Sequence, residues 1–128
     1  MKNIFLVGVL LFNLLGCQKI EGEGGKSTII GTVKTININS NGEEIATYPA
    51  ADEDVYIIYG SGDNYFDDKI ETSYDGSFKF SYLTPGDYSI FIYSECNTCP
   101  SNNEAVIKKI TISAKDEVVD AGELVRYD

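Results

Sequence analysis

From Thr28 onward, apolar residues recur at every second position in short runs, and turn-forming residues interrupt them every eight to twelve positions. Side chains alternate across a strand, so this period of two places one face of each run in a core and the other in solvent. Ile29, Gly31, Val33 and Thr35 alternate with Ile30, Thr32, Lys34 and Ile36 until Asn39-Ser40-Asn41-Gly42 ends the run. Val55, Ile57 and Tyr59 alternate with Tyr56 and Ile58 before Gly60-Ser61-Gly62-Asp63-Asn64, and a return strand is predicted from Tyr65 to Thr72. Asp75-Gly76 predicts a tight turn into Ser77 to Tyr82, and Thr84-Pro85-Gly86-Asp87 a type II turn into Tyr88, Ile90 and Ile92. Glu104 to Ser113 and Val118 to Val125 close the series. Residues 43–54 contain Pro49 and read as a loop, with at most a short edge strand near Ile45 to Tyr48. Beyond the first sixteen residues no window carries a helical period. The expectation is an all-β domain over residues 28–128: a seven-stranded antiparallel Greek-key β-sandwich.

Ahead of that body, residues 1–16 combine Lys2 with an almost uncharged apolar run from Ile4 to Leu15 and end in Gly16. The run is too short to span a bilayer and has the layout of an export leader. Leu14-Leu15-Gly16-Cys17 resembles the lipobox of bacterial lipoproteins at all four positions. The resemblance implies cleavage before Cys17, acylation of its thiol and a lipid-anchored protein of the bacterial outer membrane. Gln18 to Ser27 is polar and glycine-rich, so residues 17–27 read as the lipidated cysteine and a flexible tether.

The 112 residues after the leader are enough for one domain. Loss of Lys2 with the leader leaves nine basic and twenty acidic side chains, a net charge of −11. Phosphate backbones would be repelled, which argues against nucleic acid as a partner. The chain has no His, which removes Ser-His-Asp and Cys-His catalysis and histidine zinc sites in their usual forms. It has no Trp, so stacking on a sugar would fall to Tyr.

The segment Asp75-Gly76-Ser77-Phe78-Lys79-Phe80-Ser81-Tyr82-Leu83-Thr84-Pro85-Gly86-Asp87-Tyr88-Ser89-Ile90 resembles the carboxypeptidase regulatory-like domains of the prealbumin-like fold. Those domains run an Asp-Gly-x-Phe-x-Phe strand through Leu and Pro-Gly into x-Tyr-x-Ile. Ile30-Gly31-Thr32-Val33 and Val119-Asp120-Ala121-Gly122-Glu123-Leu124 are similar to the family's first and last strands. The resemblance implies a non-catalytic accessory module. Physically the motif is architectural: turns at Asp75-Gly76 and Pro85-Gly86, and core positions at Phe78, Phe80, Leu83, Tyr88 and Ile90.

Three cysteines are present, and acylation of Cys17 leaves Cys96 and Cys99 as a pair. Redox catalysis would want the first sulfur at a helix N-terminus, whereas this pair follows a strand, and a zinc site would want two further Cys or His ligands. A loop-closing disulfide is the expectation. Asp63, Asn64 and Asp67 could supply some calcium oxygens, but they lack the regular Asp-x-Asp-x-Asp-Gly spacing with a distal Glu, and a solvated acidic face is favoured. No catalytic residue, metal or cofactor is expected. Among the nine tyrosines, Tyr88 and one of Tyr56 and Tyr59 are assigned to the core. Tyr65, Phe66, Tyr74 and Tyr93 are assigned to an outward surface that could meet a glycan or an envelope protein. The function expected is a membrane-anchored binding or scaffolding accessory, with a carbohydrate-binding module using exposed tyrosines as the alternative.

Overall fold

The computed structural model describes residues 21–60 and 65–128; the leader and Cys17 lie outside them. The described residues form eight strands and no helix. These are β1 (Glu23–Ile38), β2 (Glu44–Pro49), β3 (Asp54–Tyr59), β4 (Asp68–Glu71), β5 (Ser77–Leu83), β6 (Gly86–Glu95), β7 (Asn103–Ile112) and β8 (Val118–Tyr127).

The sixteen-residue β1 organises the first sheet. Along one side its first half pairs with β5 and its last residues with β2, both antiparallel. Along the other side it pairs with β8, from Thr28↔Val118 to Ile36↔Tyr127. The second sheet is antiparallel throughout, in the order β4-β3-β6-β7. The inward residues predicted by alternation meet between the sheets: Val33, Val55, Ile57, Phe78, Phe80, Leu83, Tyr88, Ile90 and Ile92 are all buried in one cluster.

Several expectations are corrected. There are eight strands rather than seven, because the segment near Ile45 is a full strand, β2. All six of its residues are exposed, so it carries no buried face and no alternation to announce it. The first sheet is also not purely antiparallel, since β8 runs parallel to β1. The link 113–117 crosses from one sheet to the other instead of turning as a hairpin, and so delivers β8 at the end where β1 begins. The return strand is four residues long, and just ahead of it Asp67 Oδ2 accepts the Tyr59 amide at 2.7 Å.

The tether is shorter than its composition implies. Glu23 to Ser27 belong to β1, and Ser27 is fully buried. The Ser27 hydroxyl donates to the Ala114 carbonyl at 2.9 Å and accepts from the Glu117 amide at 3.1 Å, which fastens the β7–β8 link to β1. One step earlier, the Gly22 amide donates to the Tyr88 hydroxyl at 2.9 Å, and that hydroxyl donates to the Thr84 carbonyl at 2.6 Å. The Thr84 amide donates back to the Gly22 carbonyl at 2.9 Å. The chain is therefore pinned to the sandwich from Gly22 onward.

At the predicted Asp75-Gly76 turn, Gly76 has φ +81°, and a Cβ there would overlap the Val33 carbonyl. Asp75 accepts from the Ser77 hydroxyl at 2.6 Å and the Ser77 amide at 3.1 Å, which holds its carboxyl below the usual carboxylate range. Gly86, expected inside a type II turn, instead opens β6 with φ +146°. Between the sheets, Arg126 donates to the Thr35 hydroxyl at 3.2 Å, and its Nε lies 3.5 Å from Glu53. The Nε contact is an ion pair without hydrogen-bond geometry, and the Nε finds no hydrogen-bond partner among the described residues.

Of the two tyrosines weighed for the core, Tyr59 packs against it, edge-on to Tyr88 at 5.9 Å, and Tyr56 faces out. Burial, reinforced by Asp68, Glu23 and Asp67, pushes the Tyr59 phenol up to about 12. The folded state thus holds this proton more tightly than the unfolded chain, whose phenols ionise near pH 10. The stabilisation is fully present below pH 10 and is lost as the pH rises towards 12. Chemical denaturation between pH 9 and 12 should show a steeper fall in stability for the natural protein than for Tyr59→Phe, and parallel curves would refute this.

Candidate functional site

β3 and β6 carry two sets of side chains each. Val55, Ile57 and Tyr59 face the core along with Tyr88, Ile90 and Ile92, so Tyr56, Phe91 and Tyr93 stand on the outer face of the second sheet. Register sets Tyr56 directly opposite Phe91, and Phe91 opposite Ile107 on β7. The Tyr56 and Phe91 rings stack with centroids 4.9 Å apart at 9°. Tyr93 meets both edge-on, at 5.4 and 5.7 Å. Phe66, just ahead of β4, meets Tyr56 edge-on at 4.9 Å.

The four rings form a contiguous patch with a covered centre and an open rim. Phe91 is only 8% exposed although it lies on an outer face, because its neighbours roof it. Phe66 and Tyr93 are 48% and 49% exposed, and Ile107 is exposed beside them. Asp54 and Lys69 border the patch, their charged groups 4.0 Å apart. Burial, then the charge of Asp54, raises the Tyr56 phenol above its ordinary range.

Of the four residues assigned to an outward surface, the structure brings Phe66 and Tyr93 together through Tyr56 and Phe91. Tyr65 is next to Phe66 in the chain and 84% exposed. Tyr74 is also exposed but sits in the turn between β4 and β5, and none of the ring contacts among the described residues includes it. Tyr56 and Phe91 were not among the candidates. Their outward alternation is visible in the sequence, but their pairing depends on the register of β3 against β6.

Cys96 and Cys99 are disulfide-bonded at the tip between β6 and β7. The Cys96 amide also donates to the Asn102 carbonyl at 2.9 Å, so backbone and disulfide close the loop together. Among the described residues, Cys96, Cys99 and Glu104 are the trio whose potential ligand atoms lie within 4.8 Å of one another. With both sulfurs in the disulfide they offer no thiolate to a metal. Asp63 and Asn64 lie outside the described residues, and Asp67 is engaged with the Tyr59 amide. The same end of the sandwich carries an open hollow of about 420 Å³ lined by Ile38, Asn39, Glu95, Asn97 and Tyr127 among others.

No protein-family model and no curated protein matches the chain. Among solved structures, it is similar to a candidate carbohydrate binding protein from Pseudomonas aeruginosa, at 12% identity and a TM-score of 0.49, over 92% of this chain and 96% of that one. It is also similar to an (S)-allantoin synthase, at 13% identity and a TM-score of 0.44, over 80% of this chain and 43% of that one. Likenesses this distant say nothing of a ligand, and the site has to be read from its own residues.

Proposed function

We propose that this protein is a non-catalytic binding module of the bacterial envelope, held on the outer membrane by acylated Cys17, with the four-ring patch on the second sheet as its contact surface. The observation that carries the reading is the contiguity of Tyr56, Phe66, Phe91 and Tyr93. A buried anchor ring with half-exposed aromatic neighbours offers contact area whose ordering entropy is already spent in the fold. The absence of histidine from the chain favours binding over catalysis. We read the body as a carboxypeptidase regulatory-like domain on the Asp75 to Ile90 resemblance, with Phe78, Phe80, Leu83, Tyr88 and Ile90 in the core and Gly76 in a turn.

The partner is an envelope protein in the first reading and a glycan in the second. Asp54 and Lys69 beside the rings favour the glycan reading, since sugar hydroxyls need polar partners at the edge of a stacking face. A photo-crosslinking residue at Tyr93 in intact cells separates them: a discrete protein adduct supports the first, and glycan-array binding without such an adduct supports the second. In either case Tyr93→Ala should weaken binding about tenfold, the usual loss for one interface anchor. Unchanged binding in the double variant Phe66→Ala/Tyr93→Ala would reject this face.

A further inference from the structure

The end of the sandwich that receives the chain from Cys17 can be identified, and it carries exposed aromatic side chains. Gly22 is pinned to Thr84 and Tyr88, and five residues of chain from Cys17 reach at most about 18 Å. A ten-residue strand such as β6 is about 33 Å long, so the fixed end stays near the acyl chains while the disulfide loop at the other end stands clear. Glu21 continues along the same end. A Cβ on Gly60 would lie 3.7 Å from the Glu21 carboxylate, and the Tyr59 ring packs against Gly22. Gly60 is held there by its amide, which donates to the Asp87 carbonyl at 2.8 Å. The Asp67 amide donates to the Ile57 carbonyl at 2.8 Å and Asp68 pairs with Ile57, so Tyr65, two residues ahead of Asp67 and exposed, lies at the Gly60 end of β3.

We infer that Tyr65 makes a second membrane contact in the headgroup region, so that the anchored protein stands on this end. The inference rests on the acylation proposed above. Tyrosine suits the site because its ring tolerates the acyl boundary while its hydroxyl stays in the hydrated layer. Lys26 and Lys115 line a hollow at the same end beside Pro85 and Asp116, where their amines can meet lipid phosphates among the carboxylates of Glu21 and Asp116. The short tether supplies the proximity. The patch on β3 and β6 then faces sideways, with Phe66 at its lower edge.

The chain has no Trp, so one substitution introduces a sole indole. The acylated full-length protein carrying Tyr65→Trp is compared with Tyr127→Trp, at the far end, in zwitterionic phosphatidylcholine vesicles with bromine near the top of the acyl chains. Emission from position 65 should fall about twofold or more relative to unbrominated vesicles, with that from position 127 unchanged. Flotation with vesicles but no quenching at 65, or equal quenching at both positions, overturns the inference and leaves the anchor standing. A chain that carries no acyl group and does not float overturns both.

Discussion

Gly25→Ala is expected to destabilise the fold by about 2–3 kcal/mol and to lower the melting temperature by roughly 10–20 °C. The reason is a backbone approach that admits no side chain. A Cβ on Gly25 would overlap the Leu83 carbonyl and come within 2.7 Å of the Thr84 Cα, so the strand pair itself has to part. Relief by a rotamer change is not available, because the obstructing atoms are main chain. The displaced residues are those that hold Gly22 and receive the Tyr88 hydroxyl, and the loss should therefore spread to the fastening of the N-terminal segment. Urea unfolding checks the magnitude, and hydrogen exchange at the Gly22 and Thr84 amides checks the mechanism. Gly24→Ala is the comparison. A Cβ there meets nothing within 4 Å among the described residues, and its φ of +110° opposes the change. Equal stability of Gly25→Ala and the natural protein would show that the β1–β5 approach is wrong.

The same residues show where sequence reading stops. Polar, glycine-rich composition at Gly22 to Ser27 argues for a tether, because such a run cannot bury apolar surface. What orders it is hydrogen bonding to distant partners, Tyr88 and the 113–117 link, together with a close approach that only glycine allows. β2 was read only as a short edge strand near Ile45 to Tyr48 for a related reason: its six residues are all exposed, so no alternation marks its full length. Strands with one buried face were legible, because Val55 and Ile57, Phe78 and Phe80, and Tyr88, Ile90 and Ile92 each declare an inside. The direction of β8 was not, since it depends on which sheet the preceding link crosses to. In the candidate site, outward rings such as Tyr93 could be read from alternation. The Tyr56–Phe91 stack that joins them is a contact across thirty-five positions, set by register, and no local pattern encodes it.

Cys17→Ser should abolish acyl labelling of the protein completely, the largest effect expected of any single substitution. A thiol is the nucleophile that lipid transfer onto a lipobox cysteine requires, and a serine hydroxyl remains protonated and unreactive in its place. Two chains of about fourteen buried methylenes each contribute roughly 22 kcal/mol to membrane partitioning, so the natural protein should enter the detergent-rich phase almost entirely. A body with a net charge of −11 and no acyl group should stay in the aqueous phase once the leader is removed. Fractionation alone is ambiguous, because an uncleaved leader could hold the variant at the inner membrane. Labelled palmitate and intact mass decide the matter: incorporation into the natural chain and none into Cys17→Ser supports the anchor. An unmodified thiol on the natural protein would leave the Gly22 end of the sandwich with no membrane beside it, and the membrane-facing assignment of Tyr65 would fall with the anchor.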